Sequence, residues 1–287
     1  MRTLFHGGLA MLAFAANSVL CRVALRQELI DPAAFSTIRI AAGAAMLLLV
    51  GARGSGPFLP SRGSFLTSGL LVLYVVPFSF SYVVLTTGTG ALILFGCVQI
   101  TMLLGALRSG ERIVPAQWAG LAVALAGLVL LALPTLATPS LPAALLMALA
   151  GVAWGLYSWR GRKSADPLAA TTANFVGALP LVLIAAAAAR GSLHFSAWGV
   201  ALSAFSGAVT SGLGYVAWYA ALRRLTGLQA SVIQLGVPVL AALGGVIFLA
   251  ESVSARLILA TLLVLGGIAL AVVGKERWMR RVAASAA

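Results

Sequence analysis

Aromatic and amide side chains recur at helical spacing within apolar stretches of this 287-residue chain. Tyr74, Phe78 and Tyr82 follow one another at intervals of four residues, which places them on one face of a helix. Rings, amides and hydroxyls can bind a small molecule, but they do not by themselves form a catalytic cluster or a metal site. The candidate substrate-binding residues are Asn17, Tyr74, Phe78, Tyr82, Gln99, Trp154, Tyr157, Ser158, Tyr215, Trp218, Tyr219 and Gln234.

The elements that must position these side chains are membrane-spanning helices. Hydrophobic residues make up 61% of the chain and charged residues 9%, whereas a soluble domain carries about 25% charged residues. Apolar runs of about 20 residues, each long enough to span a bilayer as a helix, are separated by short polar breaks. The composition therefore predicts an all-α polytopic membrane protein. The predicted transmembrane helices are 4–24, 32–51, 65–85, 88–107, 114–133, 142–160, 167–189, 197–221, 227–249 and 255–273.

Lysine and arginine residues collect on one side of these ten helices. If the N-terminus is cytoplasmic, most basic residues lie in inner segments, and the outer segments hold only Arg26, Arg190 and Arg256. This distribution follows the positive-inside rule and predicts a multi-pass protein of the bacterial inner membrane with both termini in the cytoplasm. The net charge of +13 is spread over short breaks between apolar helices. We therefore expect the lipid bilayer, and no nucleic acid, as the partner of this charge.

The ninth predicted helix repeats the fourth at an offset of 140 residues. The stretch VIQLGVPVLAALGGVIFLAES (232–252) aligns with LILFGCVQITMLLGALRSGER (92–112), so that Gly96 matches Gly236 and Gly105 matches Gly245. Each stretch has a glutamate as its second-to-last residue, Glu111 in 92–112 and Glu251 in 232–252. We interpret these carboxylates as loop-stabilising groups at helix ends. The alignment divides the chain into two related halves.

Each half, 1–138 and 139–287, contains five of the predicted helices. Because five is odd, the second half must insert upside down relative to the first. Inverted repeats of this kind are typical of transporters, whose substrate site lies near the midplane between the halves. The third predicted helix carries an aromatic stripe of Tyr74, Phe78 and Tyr82, and the eighth carries one of Tyr215, Trp218 and Tyr219. The two helices correspond under this repeat, which favours a shared cavity lining.

The run GYVAWYAALRRLTGLQASVIQLGVPVLAALGGVIFLAESVSARLILATLLVLGGIAL (214–270) resembles the C-terminal helices of the EamA branch of the drug/metabolite transporter superfamily. Aromatic residues before a basic loop, the mid-helix Pro238, the glutamate stop and a glycine-rich last helix carry this resemblance. Val98 stands where the second half has Pro238, so the first half departs from the pattern. The resemblance, strongest to YddG-type amino-acid exporters, implies ten helices in two inverted repeats and export of small metabolites.

Each candidate residue also has a structural explanation. An aromatic residue near a helix end, such as Tyr82, is often an anchor at the membrane–water interface. Asn17 or Gln234 could bridge two helices and contribute about 1 kcal/mol. Arg39 lies near a predicted helix end and could meet a carboxylate, but snorkelling or an interhelical contact is the favoured interpretation. A phosphorylated cargo would need more cations in the cavity than Arg22 and Arg39 provide.

Three residues that perturb helical backbone, Pro77, Gly236 and Pro238, are candidate hinges. Pro238 removes one backbone hydrogen bond and leaves a carbonyl near residue 234 to be satisfied by a neighbour, water or substrate. A static kink that aids packing is the alternative interpretation.

All six acidic residues fall in predicted loops or at helix ends. Proton-coupled transporters usually carry a titratable group within the membrane, so this distribution predicts a facilitator or exchanger.

His6 and His194 are far apart, and Cys21 and Cys97 fall inside predicted helices as small buried residues. These residues indicate no enzyme, no metal site and no cofactor.

The sequence therefore predicts a transporter that exports aromatic or other neutral amino acids by alternating access. Efflux of drugs or other metabolites is the alternative within transport, and a non-transporting membrane scaffold is the alternative from another class.

Four glycines in the fifth and tenth helices indicate close helix packing, either within one chain or between protomers. They are Gly120, Gly127, Gly266 and Gly267. Both a monomer and a homodimer remain open.

Overall fold

The structure, a computed structural model, describes residues 2–51, 62–85, 87–132, 140–189, 194–249 and 255–285, and within them the regular elements are helices. The helices are α1 (Arg2–Arg26), α2 (Pro32–Gly51), α3 (Arg62–Val84), α4 (Thr87–Arg108), α5 (Pro115–Ala132), α6 (Leu141–Gly161), α7 (Pro167–Ala188), α8 (Ala197–Phe205), a π-helix (Ser206–Leu213), α9 (Gly214–Leu222), α10 (Gly227–Gln234), α11 (Gly236–Leu249) and α12 (Ala255–Ser285). Glu251 and Arg190 lie outside the described residues.

Seven helical segments among the described residues are long and apolar enough to cross a membrane. They are Phe5–Arg26, Pro32–Gly51, Ser64–Val84, Leu141–Gly161, Pro167–Ala188, Ala197–Leu222 and Gly227–Gly244. Three shorter apolar helices are Ile93–Arg108, Pro115–Leu130 and Ile258–Gly274. These ten segments fall on the ten predicted helices. The polytopic all-helical class is confirmed, whereas the inverted relation of the two halves stays a prediction.

Two Asp-Pro dipeptides mark helix starts. Asp31 Oδ1 accepts hydrogen bonds from the backbone N–H groups of Ala33 and Ala34 at 3.0 and 2.9 Å. Asp166 does the same for the first turn of α7. In both cases the following proline occupies the first helical position, where its missing N–H costs nothing. A local sequence signal therefore accounts for these boundaries.

The eighth predicted helix contains a change of helix type that its apolar pattern did not predict. The segment Ser206–Leu213 is π-helical and lies between α8 and α9. It packs against α2, and a Cβ added at Gly207 would lie 2.8 Å from Arg39 Cα and closer still to Arg39 O. Glycine therefore permits direct backbone contact between α2 and the π-helix. π-helical turns within α-helices are frequent at functional sites.

The ninth predicted helix is interrupted at Leu235, between α10 and α11. The Leu235 N–H donates to Val232 O at 3.1 Å, the tighter three-residue spacing. Pro238 lies four residues after Gln234, so its ring crowds the Gln234 carbonyl and its nitrogen cannot donate to it. The predicted disturbance of the helix near residue 234 is therefore present, and whether it moves during function stays a prediction.

Glycines bring α5 and α12 into close contact within one chain. A Cβ at Gly120 would lie 2.5 Å from Gly267 O, and one at Gly127 would lie 2.8 Å from Leu263 Cβ. Gly266, by contrast, has nothing within 4 Å of its Cβ position. Three of the four predicted packing glycines therefore have an intramolecular partner, as expected for small residues that allow helix backbones to approach.

Elements of the two halves interleave around the centre of the protein. α2 packs on the π-helix and α7, and α3 packs on α6 and α7. α1 contacts α9 and α11, and α4 contacts α6 and α10. Side chains from both halves therefore converge on the region between α1, α2, α3, α6 and α9.

The predicted orientation can be tested by thiol labelling in intact cells. Gln27 and Ala165 are both exposed, Gln27 after α1 and Ala165 between α6 and α7. In a background in which Cys21 and Cys97 are replaced by alanine, a membrane-impermeant maleimide is expected to label Gln27→Cys and to leave Ala165→Cys unlabelled until the cells are lysed. The opposite pattern would place the N-terminus outside and contradict the positive-inside prediction.

Candidate substrate site

Ten aromatic side chains form one connected group at the centre of the protein, here called the aromatic cluster. Its members are Phe14, Tyr74, Phe78, Tyr82, Trp154, Tyr157, Phe175, Tyr215, Trp218 and Tyr219. All ten side chains are buried. Trp154 lies at the middle, with its ring centroid 4.9 Å from that of Tyr74 and 4.8 Å from that of Tyr215. Such distances are typical of favourable aromatic pairs.

The stripe predicted on α3 forms the first part of a continuous path of rings. The centroids of Tyr82 and Phe78 are 4.7 Å apart, and those of Phe78 and Tyr74 are 5.3 Å apart. Tyr74 then meets Trp154 of α6. The interfacial-anchor interpretation of Tyr82 does not account for this position, because its side chain is 5% exposed and packs within the cluster.

The path continues from Trp154 towards the other end of the bundle. Trp154 stacks on Tyr157 at 5.5 Å between ring centroids, and Tyr157 lies 5.2 Å from Tyr219. Asn174 Nδ2 donates to both phenol oxygens, at 3.2 Å to Tyr157 and 3.4 Å to Tyr219. Asn174 Oδ1 accepts from the Thr67 hydroxyl. These hydrogen bonds tie α3, α6, α7 and α9 together at this end.

Two cavities lie at the two ends of this path. The Arg26-side cavity measures about 280 Å³ and is lined by Arg22, Arg26, Tyr82, Val83, Val84 and Leu85. The Lys163-side cavity measures about 470 Å³ and is lined by Ser64, Thr67, Arg160, Gly161, Lys163, Ser164, Ala169, Ala170, Ala173, Asn174 and Tyr219. Tyr82 lines the first cavity and Tyr219 the second, so the buried rings between them separate the two openings.

Arg39 lies against the cluster as a fully buried cation. Its Nε donates to Ser211 Oγ at 2.8 Å, and its Nη2 donates to the hydroxyls of Tyr215 at 2.8 Å and Tyr74 at 3.5 Å. Its guanidinium carbon is 5.4 Å from the Tyr74 ring centroid and 5.7 Å from that of Phe78. The snorkelling interpretation of Arg39 is therefore wrong, because its side chain is 0% exposed and turns inward. The interhelical interpretation is confirmed, because its partners lie on other helices.

The predicted amides form a polar layer between α4, α6 and α10. Trp154 Nε1 donates to Gln234 Oε1 at 2.6 Å, which attaches the centre of the cluster to α10. Gln99 Nε2 donates to Ser231 Oγ at 3.0 Å. Gln99 Oε1 is buried and has no hydrogen-bond partner among the described residues.

Several predicted residues join helices at the edge of the cluster. Ser206 Oγ donates to Asn17 Oδ1 at 2.6 Å and links the π-helix to α1. Trp218 Nε1 donates to Ser158 Oγ at 3.0 Å and links α9 to α6. Pro77 lies within an uninterrupted α3, and its carbonyl accepts from Ser81 Oγ at 2.7 Å. The helix-bridging interpretation therefore describes the observed contacts of Asn17.

Five residues at this site were not predicted from the sequence as site residues. Phe14 and Phe175 belong to the cluster, Arg39 and Asn174 donate to its tyrosine hydroxyls, and Ser211 accepts from Arg39. A signal existed for Arg39, because a cation several residues inside an apolar stretch is a functional hint. Asn174 carried a similar signal within the seventh predicted helix. Phe14 and Phe175 carried none, because a phenylalanine in a membrane helix is equally common against lipid.

Three comparisons place the chain among known proteins. The sequence profile of the EamA-like transporter family matches residues 2–133 and 141–273. An uncharacterized protein of Pseudomonas aeruginosa is 48% identical over 269 residues, which are 94% of each chain. An uncharacterized transporter of Archaeoglobus fulgidus is 26% identical over 249 residues, covering 83% of this chain and 88% of its own. A crystal structure that covers 92% of this chain and 98% of its own has a TM-score of 0.76 at 22% identity, a likeness of fold.

Proposed function

Because the chain belongs to the EamA-like transporter family, we propose that it exports aromatic and other neutral amino acids across the bacterial inner membrane. Family membership supports membrane transport of small molecules, and the amino-acid cargo, the direction and the YddG-type assignment are the proposal. The observation that carries it is the buried path of aromatic rings between two cavities. Rings and hydroxyls of this kind suit small molecules with apolar side chains.

The proposed mechanism is alternating access between two inverted halves. The two stretches that match the family profile, 2–133 and 141–273, fall on either side of the predicted boundary after residue 138. The cluster draws Tyr74 from the first half and Trp154 and Tyr215 from the second. A rearrangement between the halves would change which cavity reaches the cluster, and this is the transport step of inverted-repeat transporters.

The proposed coupling mode is facilitation or exchange without protons. Among the described acidic groups, Asp31 and Asp166 cap helices, and Glu111 accepts from the backbone N–H of Gly227 at 2.8 Å. None of these carboxylates contacts the aromatic cluster. A proton-coupled carrier would need such a group within the membrane, close to the substrate.

The proposal predicts counterflow in proteoliposomes that contain the purified protein. Vesicles loaded with unlabelled tryptophan are expected to accumulate external labelled tryptophan, because exchange requires only that both cavities gain access to the cluster. The rate is expected to be the same with and without an imposed pH gradient. Leucine and phenylalanine are the next substrates to test.

The outcomes of this measurement separate the alternatives. Accumulation only with a pH gradient would contradict the facilitator and reveal a proton-coupling group. Failure of every amino acid, with counterflow of an apolar drug or another metabolite, would move the cargo to the alternative within transport. Failure of every solute would favour a non-transporting scaffold.

A further inference from the structure

We propose that Arg39 binds the carboxylate of the transported molecule, so that the cargo must carry a carboxylate but need not carry an ammonium group. This inference rests on the proposed function, because it names the chemical class that the same site recognises. It comes from the buried guanidinium of α2 and from the distribution of charge along the path of rings.

Among the described residues, Arg39 has no acidic partner for its charge. The residue lies seven positions after Pro32, about 10 Å along α2 at a rise of 1.5 Å per residue. Its contacts are the hydroxyls of Ser211, Tyr215 and Tyr74 and two aromatic rings, and no carboxylate is among its partners in the described part of the chain. A buried cation is costly unless a charged partner compensates it.

The guanidinium also has unused hydrogen-bonding capacity. Nη1 is buried and has no hydrogen-bond partner within the described residues. Nη2 makes one short bond to Tyr215 at 2.8 Å and one long contact to Tyr74 at 3.5 Å. A carboxylate can therefore accept from Nη1 and take the place of the long Tyr74 contact at Nη2, which gives the bidentate geometry that arginine forms with carboxylates.

Arg39 holds these unused hydrogen-bond donors beside the path of aromatic rings. Its guanidinium lies near the rings of Phe78 and Tyr74, between Tyr82 of the Arg26-side cavity and Trp154 at the cluster centre. A molecule whose carboxylate meets Arg39 would set its apolar part among these rings. Recognition of the charged end and of the apolar end would then occur at one site.

The cavities at both ends carry positive charge. Arg22 and Arg26 line the Arg26-side cavity, and Arg160 and Lys163 line the Lys163-side cavity. No aspartate or glutamate is among the described residues that line either cavity. Positively charged openings raise the local concentration of anions. The described cluster holds no carboxylate to meet an ammonium, whereas Arg39 offers an unpaired donor to a carboxylate. We therefore expect the carboxylate to contribute more to binding than the amino group does.

The test uses two analogues of tryptophan that each lack one charged group. Indole-3-propionate keeps the carboxylate, and tryptamine keeps the ammonium. In wild-type proteoliposomes we expect unlabelled indole-3-propionate to inhibit tryptophan counterflow about as well as tryptophan does. Tryptamine is expected to require a concentration about tenfold higher or more, since loss of a charged hydrogen-bonding partner typically weakens binding by that amount.

Substitutions of Arg39 test whether this residue causes the preference for indole-3-propionate over tryptamine. Arg39→Gln is expected to weaken inhibition by indole-3-propionate about tenfold or more and to leave inhibition by tryptamine unchanged. Arg39→Lys keeps the charge but lacks the planar guanidinium, so its inhibition by indole-3-propionate is expected to be intermediate between that of the wild type and that of Arg39→Gln. Arg162→Gln is the matched control, because Arg162 is half-buried over the Trp159 ring at 4.5 Å and has a buried Nε without a partner among the described residues, yet lies outside the cluster.

Two results would overturn the proposal. One is equal inhibition by tryptamine and indole-3-propionate in the wild type. The other is an Arg39→Gln protein that loses affinity for both analogues equally, as a purely structural role predicts. If Arg39→Gln does not yield folded protein, Arg39→Lys provides the same comparison.

A binding measurement separates this inference from the transport proposal. If the wild type shows no tryptophan counterflow, the thermal stabilisation of detergent-purified protein by each analogue still reports on the site. Stabilisation by indole-3-propionate that Arg39→Gln abolishes would support carboxylate binding with a different cargo. Absence of stabilisation by indole-3-propionate in the wild type would overturn the proposal that Arg39 binds a carboxylate.

Discussion

Replacing Trp154 with alanine is expected to slow tryptophan counterflow about tenfold or more, a loss of at least 1.4 kcal/mol of transition-state stabilisation. Trp154 is 4% exposed and joins the two parts of the ring path, to Tyr74 on one side and to Tyr157 on the other. Its removal takes away the central surface against which an apolar side chain would pack. The expected loss of unfolding free energy, about 3–5 kcal/mol for a buried tryptophan, must be measured in parallel.

The chain offers a matched tryptophan away from the cluster. Trp198 lies in the first turn of α8 and is 73% exposed, on the surface that faces lipid or interface in a membrane protein. Trp198→Ala is expected to leave both the counterflow rate and the thermal midpoint nearly unchanged. Equal effects of the two substitutions on counterflow would contradict a central role for the cluster.

A milder series separates substrate binding from folding at the same position. Trp154→Phe keeps a ring but removes the donor to Gln234 Oε1, which leaves a buried acceptor and costs about 1–3 kcal/mol. The double variant Trp154→Phe with Gln234→Leu removes both partners and is expected to recover part of that stability. If the hydrogen bond served stability alone, the double variant would also recover the wild-type counterflow rate.

Replacing Gly207 with alanine is expected to give the largest loss of stability of any single methyl addition in the described helices that face the cluster. The added Cβ would meet backbone atoms of Arg39, which cannot move unless α2 moves. Overpacking of this kind costs about 1–3 kcal/mol, and separation of α2 from the π-helix would also lengthen the bond from Arg39 to Ser211. Thermal unfolding of detergent-purified protein measures the change.

Gly69 is the matched control, because it lies within α3 and has nothing within 4 Å of its Cβ position. Alanine is favoured over glycine inside a helix by about 1 kcal/mol. Gly69→Ala is therefore expected to raise the thermal midpoint, whereas Gly207→Ala is expected to lower it. A rise for both would show that α2 and the π-helix are not in direct backbone contact.

Two features of the fold were predictable because their causes are local. Hydropathy located the helices, since each bilayer-spanning segment must satisfy its own backbone hydrogen bonds. The Asp-Pro dipeptides at 31–32 and 166–167 marked helix starts, because the aspartate caps the first turn and the proline suits the first helical position. The extent of α12 to Ser285 was not predicted, because its last turns are polar and carry no hydropathy signal.

The candidate site was predicted in part. Helical spacing indicated that Tyr74, Phe78 and Tyr82 share a face, and their ring contacts are consistent with that. Spacing did not show that Ser158 and Trp218 would bond to each other, because that bond depends on how α6 meets α9. The roles of these residues in substrate binding stay predictions.

The sequence alone determined the class of the protein, the positions of its membrane-crossing segments and the aromatic faces of individual helices. Each of these follows from residues close together in the chain. Only the tertiary structure decided the environment of Arg39, whose partners Ser211 and Tyr215 are 172 and 176 residues away in the chain. It also decided where the π-helix lies, because Gly207 must meet the backbone of α2. Contacts of this kind arise from the choice of helix neighbours, which local patterns do not encode.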